Sequence, residues 1–193
     1  MARTPSARAH RDVLDAAVTL FAERGMDGTS MDAIAGASGV SKATIYKHWR
    51  DKDALCLDVV ARLHDAAPDV DSGDLRKDLL AVLTYQPCEA THAARMRLLP
   101  HLMAHAVRNP AFGKTWRAGF LDPPRAQVLK VLARGIDRGD LPRHLNSELA
   151  LALLLGPMVY GHILTGIDRS PPRNLARTVV DVFLQTYARP KRR

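Results

Sequence analysis

Residues 28–52 read GTSMDAIAGASGVSKATIYKHWRDK, and this segment decides the fold class of the chain. Its apolar residues recur three and four positions apart, which is the spacing of one face of a helix. Residues of the types found at Thr29–Ser30 and at Ser41 commonly cap the first turn of a helix, and Gly39 can adopt the left-handed backbone of a tight turn. The segment therefore predicts two short helices joined by a glycine turn, the second helix ending at Trp49.

Helical periodicity continues along the rest of the chain, and few segments show the alternation or the β-branched runs of strands. A first helix is predicted over Ser6–Arg24, ending at Gly25, and a fourth from Asp51 or Lys52 to about Asp65. Prolines and polar turns separate the later helices. These are predicted at about 74–86, 89–107, 111–119, 123–138, 146–165 and 172–188. We therefore expect an all-α protein.

The polar run PDVDSG at 68–73 is the clearest break in composition and marks a predicted domain boundary. The three short helices at the N-terminus form a predicted helix-turn-helix DNA-binding domain over residues 1–50. Residues 51–67 are expected to form a connecting helix, and residues 68–193 a larger C-terminal helical domain for ligand binding and dimerisation.

Composition narrows the class of protein further. With 47% apolar and 25% charged residues, the chain has the balance of a soluble globular protein. It has two cysteines and no N-terminal signal or membrane segment, so we expect a cytoplasmic protein with free thiols. The net charge of +8 lies outside the first 66 residues, which hold nine Lys or Arg and nine Asp or Glu. Total charge therefore does not locate a nucleic-acid surface.

The third helix is predicted to have two different sides. At about 100 degrees per residue, Ile45 and Trp49 fall together and can pack on the other helices, whereas Ala43 and Lys47 point away from them. The small Ala43 allows close approach to base edges, and Lys42 or Lys47 can donate to guanine O6 and N7. One side is thus expected to hold the helix in place and the other to contact DNA.

The runs Gly28–Ala35 and Gly39–Lys52, with Leu55, resemble the TetR family of transcriptional regulators, and the similarity covers about residues 10–56. The resemblance implies phosphate contacts by some residues and base contacts by others. The implied phosphate contacts are Thr29, Thr44, Tyr46, His48 and Lys52. The implied base-edge contacts are Lys42, Ala43 and Lys47, in the helix that Ser41 caps. Met26 departs from the aromatic residue usual at that position.

Two apolar stripes near the C-terminus have two interpretations, a core within the domain or an interface with a second copy. The family resemblance implies the second interpretation, a four-helix interface in a homodimer. A dimer also suits a palindromic operator, because a two-fold axis places two recognition helices on matching half-sites. The predicted interface residues are Leu149, Leu153, Gly156, Tyr160, Ile163, Val179, Val182 and Phe183.

The resemblance also implies a pocket for a small-molecule effector, lined by residues between 80 and 165. Ligand pockets are mostly apolar with a few polar groups, although any one of these side chains can equally be core. The predicted lining residues are Tyr85, Met103, Phe112, Trp116, Phe120, Met158 and His162. Ten Lys or Arg against three Asp or Glu over residues 90–143 make an anionic effector a further hypothesis.

The sequence therefore predicts a repressor that binds double-stranded DNA as a homodimer and is released by an effector of unknown identity. We expect no enzymatic activity, no cofactor, no catalytic residue and no metal site. One alternative is a helical metal-dependent enzyme, because His101 and His105 lie four residues apart on a predicted helix. Another is a DNA-binding activator that responds to no ligand.

Overall fold

The computed structural model describes residues 5–64, 69–85, 88–161 and 174–188, and these form helices and no strands. The all-α prediction is therefore confirmed. The helices are α1 (Pro5–Arg24), α2 (Met31–Ser38), α3 (Lys42–His48), α4 (Lys52–Leu63), α5 (Leu75–Leu83), α6 (Glu89–Arg108), α7 (Pro110–Trp116), α8 (Asp122–Asp137), α9 (Ser147–Val159) and α10 (Leu175–Tyr187). A π-helical turn, Arg117–Leu121, joins α7 to α8.

Local sequence signals set the ends of the first helices. The side-chain oxygens of Ser30, Ser41 and Asp51 each accept a hydrogen bond from a backbone N–H three residues later, at 3.1, 3.2 and 2.7 Å. Each cap satisfies a donor that has no partner within its helix. Gly25 and Gly39 follow α1 and α2 with φ of 70° and 68°, a conformation that residues with a Cβ seldom adopt.

The described chain divides into two compact units, and the first contains residues 5–64 and 88–120. In this unit α1 packs against α2, α3, α4 and α6, and α4 also packs against α6 and α7. The fully buried side chains that fill its core include Val13, Phe21, Ile34, Ile45, Leu55, Val59, Leu98 and Leu102. α6 and α7 thus share a core with the N-terminal helices.

The second unit contains the described residues 69–85, 121–161 and 174–188. Its helices α5, α8, α9 and α10 pack around an apolar core. The core residues are Leu75, Leu79, Val128, Val131, Leu132, Leu141, Ala150, Leu151, Leu154, Val180 and Phe183. No helix in this or the first unit, as far as either is described, is both long and apolar enough to cross a membrane.

The grouping of helices differs in one respect from the order of the predicted domains along the chain. α6 and α7 belong to the unit that contains the helix-turn-helix, although they follow the predicted boundary at residues 68–73. The predicted limits of 1–50, 51–67 and 68–193 describe sequence segments and stay a prediction. The packing of α6 on α1 and α4 brings its side chains next to those of the helix-turn-helix.

Candidate nucleic-acid interface

The turn between α2 and α3 is short and internally bonded. Gly39 supplies the left-handed residue that ends α2, and the Ser38 hydroxyl accepts a hydrogen bond from the backbone N–H of Val40 at 3.3 Å. α3 begins two residues later, after Ser41, whose hydroxyl also lies 2.8 Å from that of Thr44. These contacts fix the start of α3 relative to α2, which is the geometry of a helix-turn-helix.

One side of α3 anchors it to its own unit. Ile45 is fully buried and Trp49 is 3% exposed, so both predicted anchor residues are confirmed. The Trp49 indole N–H donates to Asp58 on α4 at 2.8 Å, and its ring lies 4.6 Å from that of His10 on α1. His48 joins this group, with its ring 5.6 Å from His10. Contacts from two other helices therefore hold the C-terminal end of α3.

The rest of α3 is exposed, and we call its exposed residues the α3 surface: Lys42, Ala43, Tyr46, Lys47 and His48, the last at its edge beside the anchoring group. Thr44 is half-buried beside it, and Ser41 is exposed at the helix start. The α3 surface contains basic, aromatic and small side chains, which is the mixture that contacts base edges and phosphates. The structure thus presents these predicted residues to the outside, while their contacts with DNA stay predictions.

Lys42 has an acidic partner on the neighbouring helix. Its ammonium lies 2.7 Å from the carboxylate of Asp32 on α2, and both side chains are largely exposed. This hydrogen bond raises the pKa of Lys42 above its ordinary value of 10.5, so the lysine is positively charged at neutral pH. The pair places a cation at the start of α3 and ties α2 to α3 at their solvent-facing side.

Thr29 and Lys52 occupy a different place from the rest of the predicted DNA-binding set. Thr29 is 2% exposed, and its hydroxyl lies within hydrogen-bond distance of the carbonyls of Gly25 (2.8 Å) and Leu20 (3.1 Å). The Lys52 ammonium donates to the carbonyls of Thr29, at 2.8 Å, and Met26. Both side chains are therefore engaged in holding the corner between α1 and α2, and their phosphate contacts stay predictions.

α6 makes polar contacts with the same corner and with the start of α4. His105 lies 3.0 Å from one carboxylate oxygen of Asp53, and Asn109 donates to the other oxygen at 2.7 Å. Arg108 forms an ion pair with Asp27, which follows α1. The imidazole of His101 lies beside Gly25, so that a Cβ at Gly25 would come within 2.9 Å of it. The last turns of α6 thus contact both α4 and the α1–α2 corner.

These contacts bear on the metal hypothesis for His101 and His105. The two imidazoles contact different groups, Gly25 in one case and the carboxylates of Asp53 and Asp27 in the other. Within the described residues, no set of three or more His, Cys, Asp or Glu side chains is arranged to hold a metal ion. The histidine pair therefore has a structural explanation in the packing of α6.

The predicted pocket residues lie in both units. Phe112, Trp116 and Phe120 are buried in the first unit, where the rings of Trp116 and Phe120 stack with centroids 5.9 Å apart. Met103 of the same unit is 38% exposed. Tyr85 and Met158 are half-buried parts of the second unit, and His162 lies outside the described residues. Of the predicted set, the structure thus brings Trp116 and Phe120 into direct contact.

The predicted dimer residues on α9 and α10 are mostly exposed. Leu149, Leu153, Tyr160 and Val182 have 43–60% of their surface exposed, and Gly156 is exposed among them. Val179 is half-buried against the core of the second unit. Phe183 is 4% exposed and forms part of that core, and its contact with a partner stays a prediction. Ile163 lies outside the described residues.

Sequence reasoning missed His10, Asp32 and Asp58, which contact α3 from other helices. No local signal marks these residues, because their partners lie 9 to 39 positions away and become neighbours only on folding. His10 lies between two basic residues near the N-terminus, Arg8 and Arg11, and Arg8 makes an ion pair with Asp12 at 3.8 Å.

The fold and the α3 surface define a helix-turn-helix DNA-binding protein. Residues 13–59 match the family model of the "Bacterial regulatory proteins, tetR family". Residues 69–183 match the family model of the "Tetracyclin repressor-like, C-terminal domain". The chain therefore belongs to the TetR family of transcriptional regulators.

Individual relatives agree with this assignment along most of the chain. The HTH-type transcriptional regulator YdeS of Bacillus subtilis is 31% identical over 164 residues, covering 81% of this chain and 79% of its own. The DNA-binding transcriptional repressor TetR of Mycobacteroides abscessus is 29% identical over 77% of this chain and 81% of its own. A crystal structure of a TetR-family regulator from Mesorhizobium loti has a TM-score of 0.65 at 25% identity, covering 97% of this chain and all of its own.

Proposed function

We propose that this regulator is a repressor that binds a palindromic operator as a homodimer and leaves it when a small-molecule effector binds. The observation that carries the proposal is the two-sided α3. Ile45 and Trp49 anchor the helix, while Lys42, Ala43 and Lys47 face outward, as the side of a recognition helix that enters the major groove must do. A rigidly held helix with exposed basic and small side chains is suited to sequence-specific contacts.

The homodimer is supported by the exposed apolar stripe on the second unit. Leu149, Leu153, Tyr160 and Val182 expose about half of their surfaces, and three of them follow each other along α9 at helical spacing. Contiguous apolar surface of this kind marks sites of association. We infer that a second copy of the chain covers this stripe, because a two-fold symmetric dimer also doubles the number of base contacts.

Control by an effector is supported by the contacts of α6. His105 and Asn109, which follows α6 directly, are bonded to Asp53 at the start of α4, and Arg108 is paired with Asp27 in the α1–α2 corner. Any ligand that moves the end of α6 also changes these bonds. A ligand shifts the balance between DNA-binding and non-binding conformations only through its different affinity for the two. Two relatives, at 30% and 29% identity, are named as transcriptional repressors.

The test begins with selection of genomic fragments by the purified full-length protein, followed by footprinting of the recovered site. The proposal predicts a protected palindrome of two half-sites, and reduced transcription in vitro from the adjacent promoter. Small molecules related to the neighbouring genes are then added, and one of them is expected to restore transcription. Increased transcription on binding, or no shared sequence among the fragments, would contradict the proposal.

A further inference from the structure

Three side chains lie around the ring of Phe120 inside the first unit. The guanidinium carbon of Arg95 lies 4.9 Å from the centroid of the Phe120 ring, and Trp116 stacks on that ring at 5.9 Å. The imidazole of His64 approaches edge-on with its centroid 6.4 Å away. They come from the residue after α4, from α6 and from α7, and together with Phe120 of the π-helical turn we call them the Phe120 cluster.

Two nitrogen atoms of this cluster are buried without a hydrogen-bond partner among the described residues. They are Nε1 of Trp116, a residue that is 5% exposed, and Nδ1 of His64. An indole N–H can only donate, so Trp116 needs an acceptor that the neighbouring side chains do not supply. Buried donors without acceptors are rare in folded proteins, and each one requires an explanation.

The backbone at the cluster is also unusual. Phe120 lies in the π-helical turn Arg117–Leu121, which begins directly after Trp116. Turns of this kind are uncommon and are found frequently at functional sites. The irregular backbone and the unsatisfied indole are separate observations on adjacent residues, and both indicate a binding site.

We propose that the Phe120 cluster binds a carboxylate-bearing effector with an apolar body. The carboxylate accepts the indole N–H of Trp116 and lies beside the guanidinium of Arg95, which makes the hydrogen bonds charge-assisted. The Nδ1–H tautomer of His64 donates a further hydrogen bond, and the apolar body packs on the rings of Trp116 and Phe120. Residues 88–120 hold five Lys or Arg and one Glu, so the local field also favours an anion. This inference rests on the effector-controlled regulator proposed above and specifies its ligand class.

The experiment follows the indole N–H groups by NMR in the full-length protein with ¹⁵N-labelled tryptophan. The chain has two tryptophans, and Trp116→Phe assigns their two resonances. The probes are 3-phenylpropionate, octanoate and 2-naphthoate, each paired with its carboxamide. We expect carboxylates to move the Trp116 resonance while that of Trp49 stays in place. The matched carboxamides should bind about tenfold more weakly, a difference of about 1.4 kcal/mol.

Two arginines of α6 supply a matched pair of variants. Arg95→Gln should weaken carboxylate binding about tenfold. Arg97→Gln, an exposed position on the same helix, should leave both carboxylate binding and DNA binding unchanged. Thermal unfolding checks each variant, and Arg95→Met, which removes the charge and keeps an apolar side chain, replaces Arg95→Gln should that variant fail to fold.

Three results overturn the ligand class: carboxamides that bind as tightly as carboxylates, no movement of the Trp116 resonance with any carboxylate, or equal losses in the Arg95→Gln and Arg97→Gln variants. The same preparation is assayed on the selected operator. Specific DNA binding without carboxylate preference would overturn this inference alone, whereas absence of specific DNA binding would overturn the proposed function.

Discussion

Lys42 and Asp32 form an ion pair of 2.7 Å that joins the first residue of α3 to α2 on the exposed side of the helix-turn-helix. The same lysine is a predicted base contact, so Asp32 and DNA compete for one ammonium group. Because both side chains are largely exposed, water and salt weaken the pair, and the lysine can exchange partners at low free-energy cost.

Removing this competition should strengthen DNA binding. We expect Asp32→Asn to raise affinity for the selected operator about twofold to fivefold, the range typical of one exposed ion pair. Fluorescence anisotropy at several salt concentrations measures the change. Asp137→Asn, which alters an exposed carboxylate of the second unit, is the control and should leave the affinity unchanged. An unchanged affinity of the Asp32→Asn protein would contradict the competition, and a weaker affinity would show that the pair assists DNA binding.

Glycine at the turn should be required for its backbone conformation alone. A Cβ at Gly39 meets no atom within 4 Å, but φ there is +68°, so Gly39→Ala should lower the free energy of unfolding by about 1–2 kcal/mol. Gly36 lies inside α2 with equally open surroundings, and Gly36→Ala should raise the free energy of unfolding by about 0.5–1 kcal/mol. Urea unfolding followed by circular dichroism compares them. Equal effects of the two substitutions would contradict this explanation of the turn.

Local and distant contacts explain how far the sequence could predict this structure. The caps at Ser30 and Ser41 and the turn at Gly39 involve bonds within three residues, so the sequence shows them directly. The bonds of Lys52 to the α1–α2 corner join residues 23 or 26 positions apart, and periodicity carries no information about them. The resemblance correctly predicted the family from the helix-turn-helix.

Phe183 illustrates a second limit of periodicity. It shares an apolar stripe with Val182 and Val179, yet it is buried in the core of its own unit while Val182 is 56% exposed. Adjacent positions on a helix point about 100 degrees apart, so a stripe wide enough to contain both residues contacts two different surroundings. Only the packing of α10 against the other helices separates core from exposed surface.

The two cysteines should differ sharply in reactivity. Burial raises the pKa of the Cys56 thiol to about 12, whereas Cys88 is exposed. The thiolate is the reactive form, and only about 10⁻⁴ of the Cys56 thiol is ionised at pH 8. We expect iodoacetamide to label Cys88 in the native protein and Cys56 only after unfolding in urea, as determined by peptide mass spectrometry. Equal labelling of both cysteines in the native protein would place Cys56 in contact with solvent.

The raised pKa of Cys56 also has a consequence for stability. In the unfolded chain this thiol ionises near its ordinary value of 9.0, but in the folded chain it stays protonated to about pH 12. Its contribution is therefore complete below pH 9 and is lost as the pH rises from 9 to 12. Cys56→Ala should reduce the fall in unfolding free energy over that range. An unchanged pH dependence in this variant would contradict the assignment.

A charged side chain introduced into the exposed apolar stripe of α9 should prevent two copies of the chain from associating. Leu153 is 43% exposed, and Leu153→Glu is expected to convert the proposed homodimer into a monomer, because the glutamates would be desolvated at the interface. Val107 on α6 is 83% exposed and outside the stripe, so Val107→Glu should remain dimeric. Analytical ultracentrifugation distinguishes the two. A dimeric Leu153→Glu protein would place the interface elsewhere.

Sequence-specific binding through the α3 surface is the central claim, and the most direct measurement compares operator with scrambled DNA. Anisotropy titrations use the wild-type protein, Lys42→Ala, Lys47→Ala and, as a control, Lys77→Ala on α5. The wild type should prefer the operator by on the order of 10³-fold. Loss of a base-contacting lysine should reduce that preference about tenfold, while Lys77→Ala leaves it intact. Equal preference in all four proteins would contradict the assignment of α3 as the helix that contacts the bases.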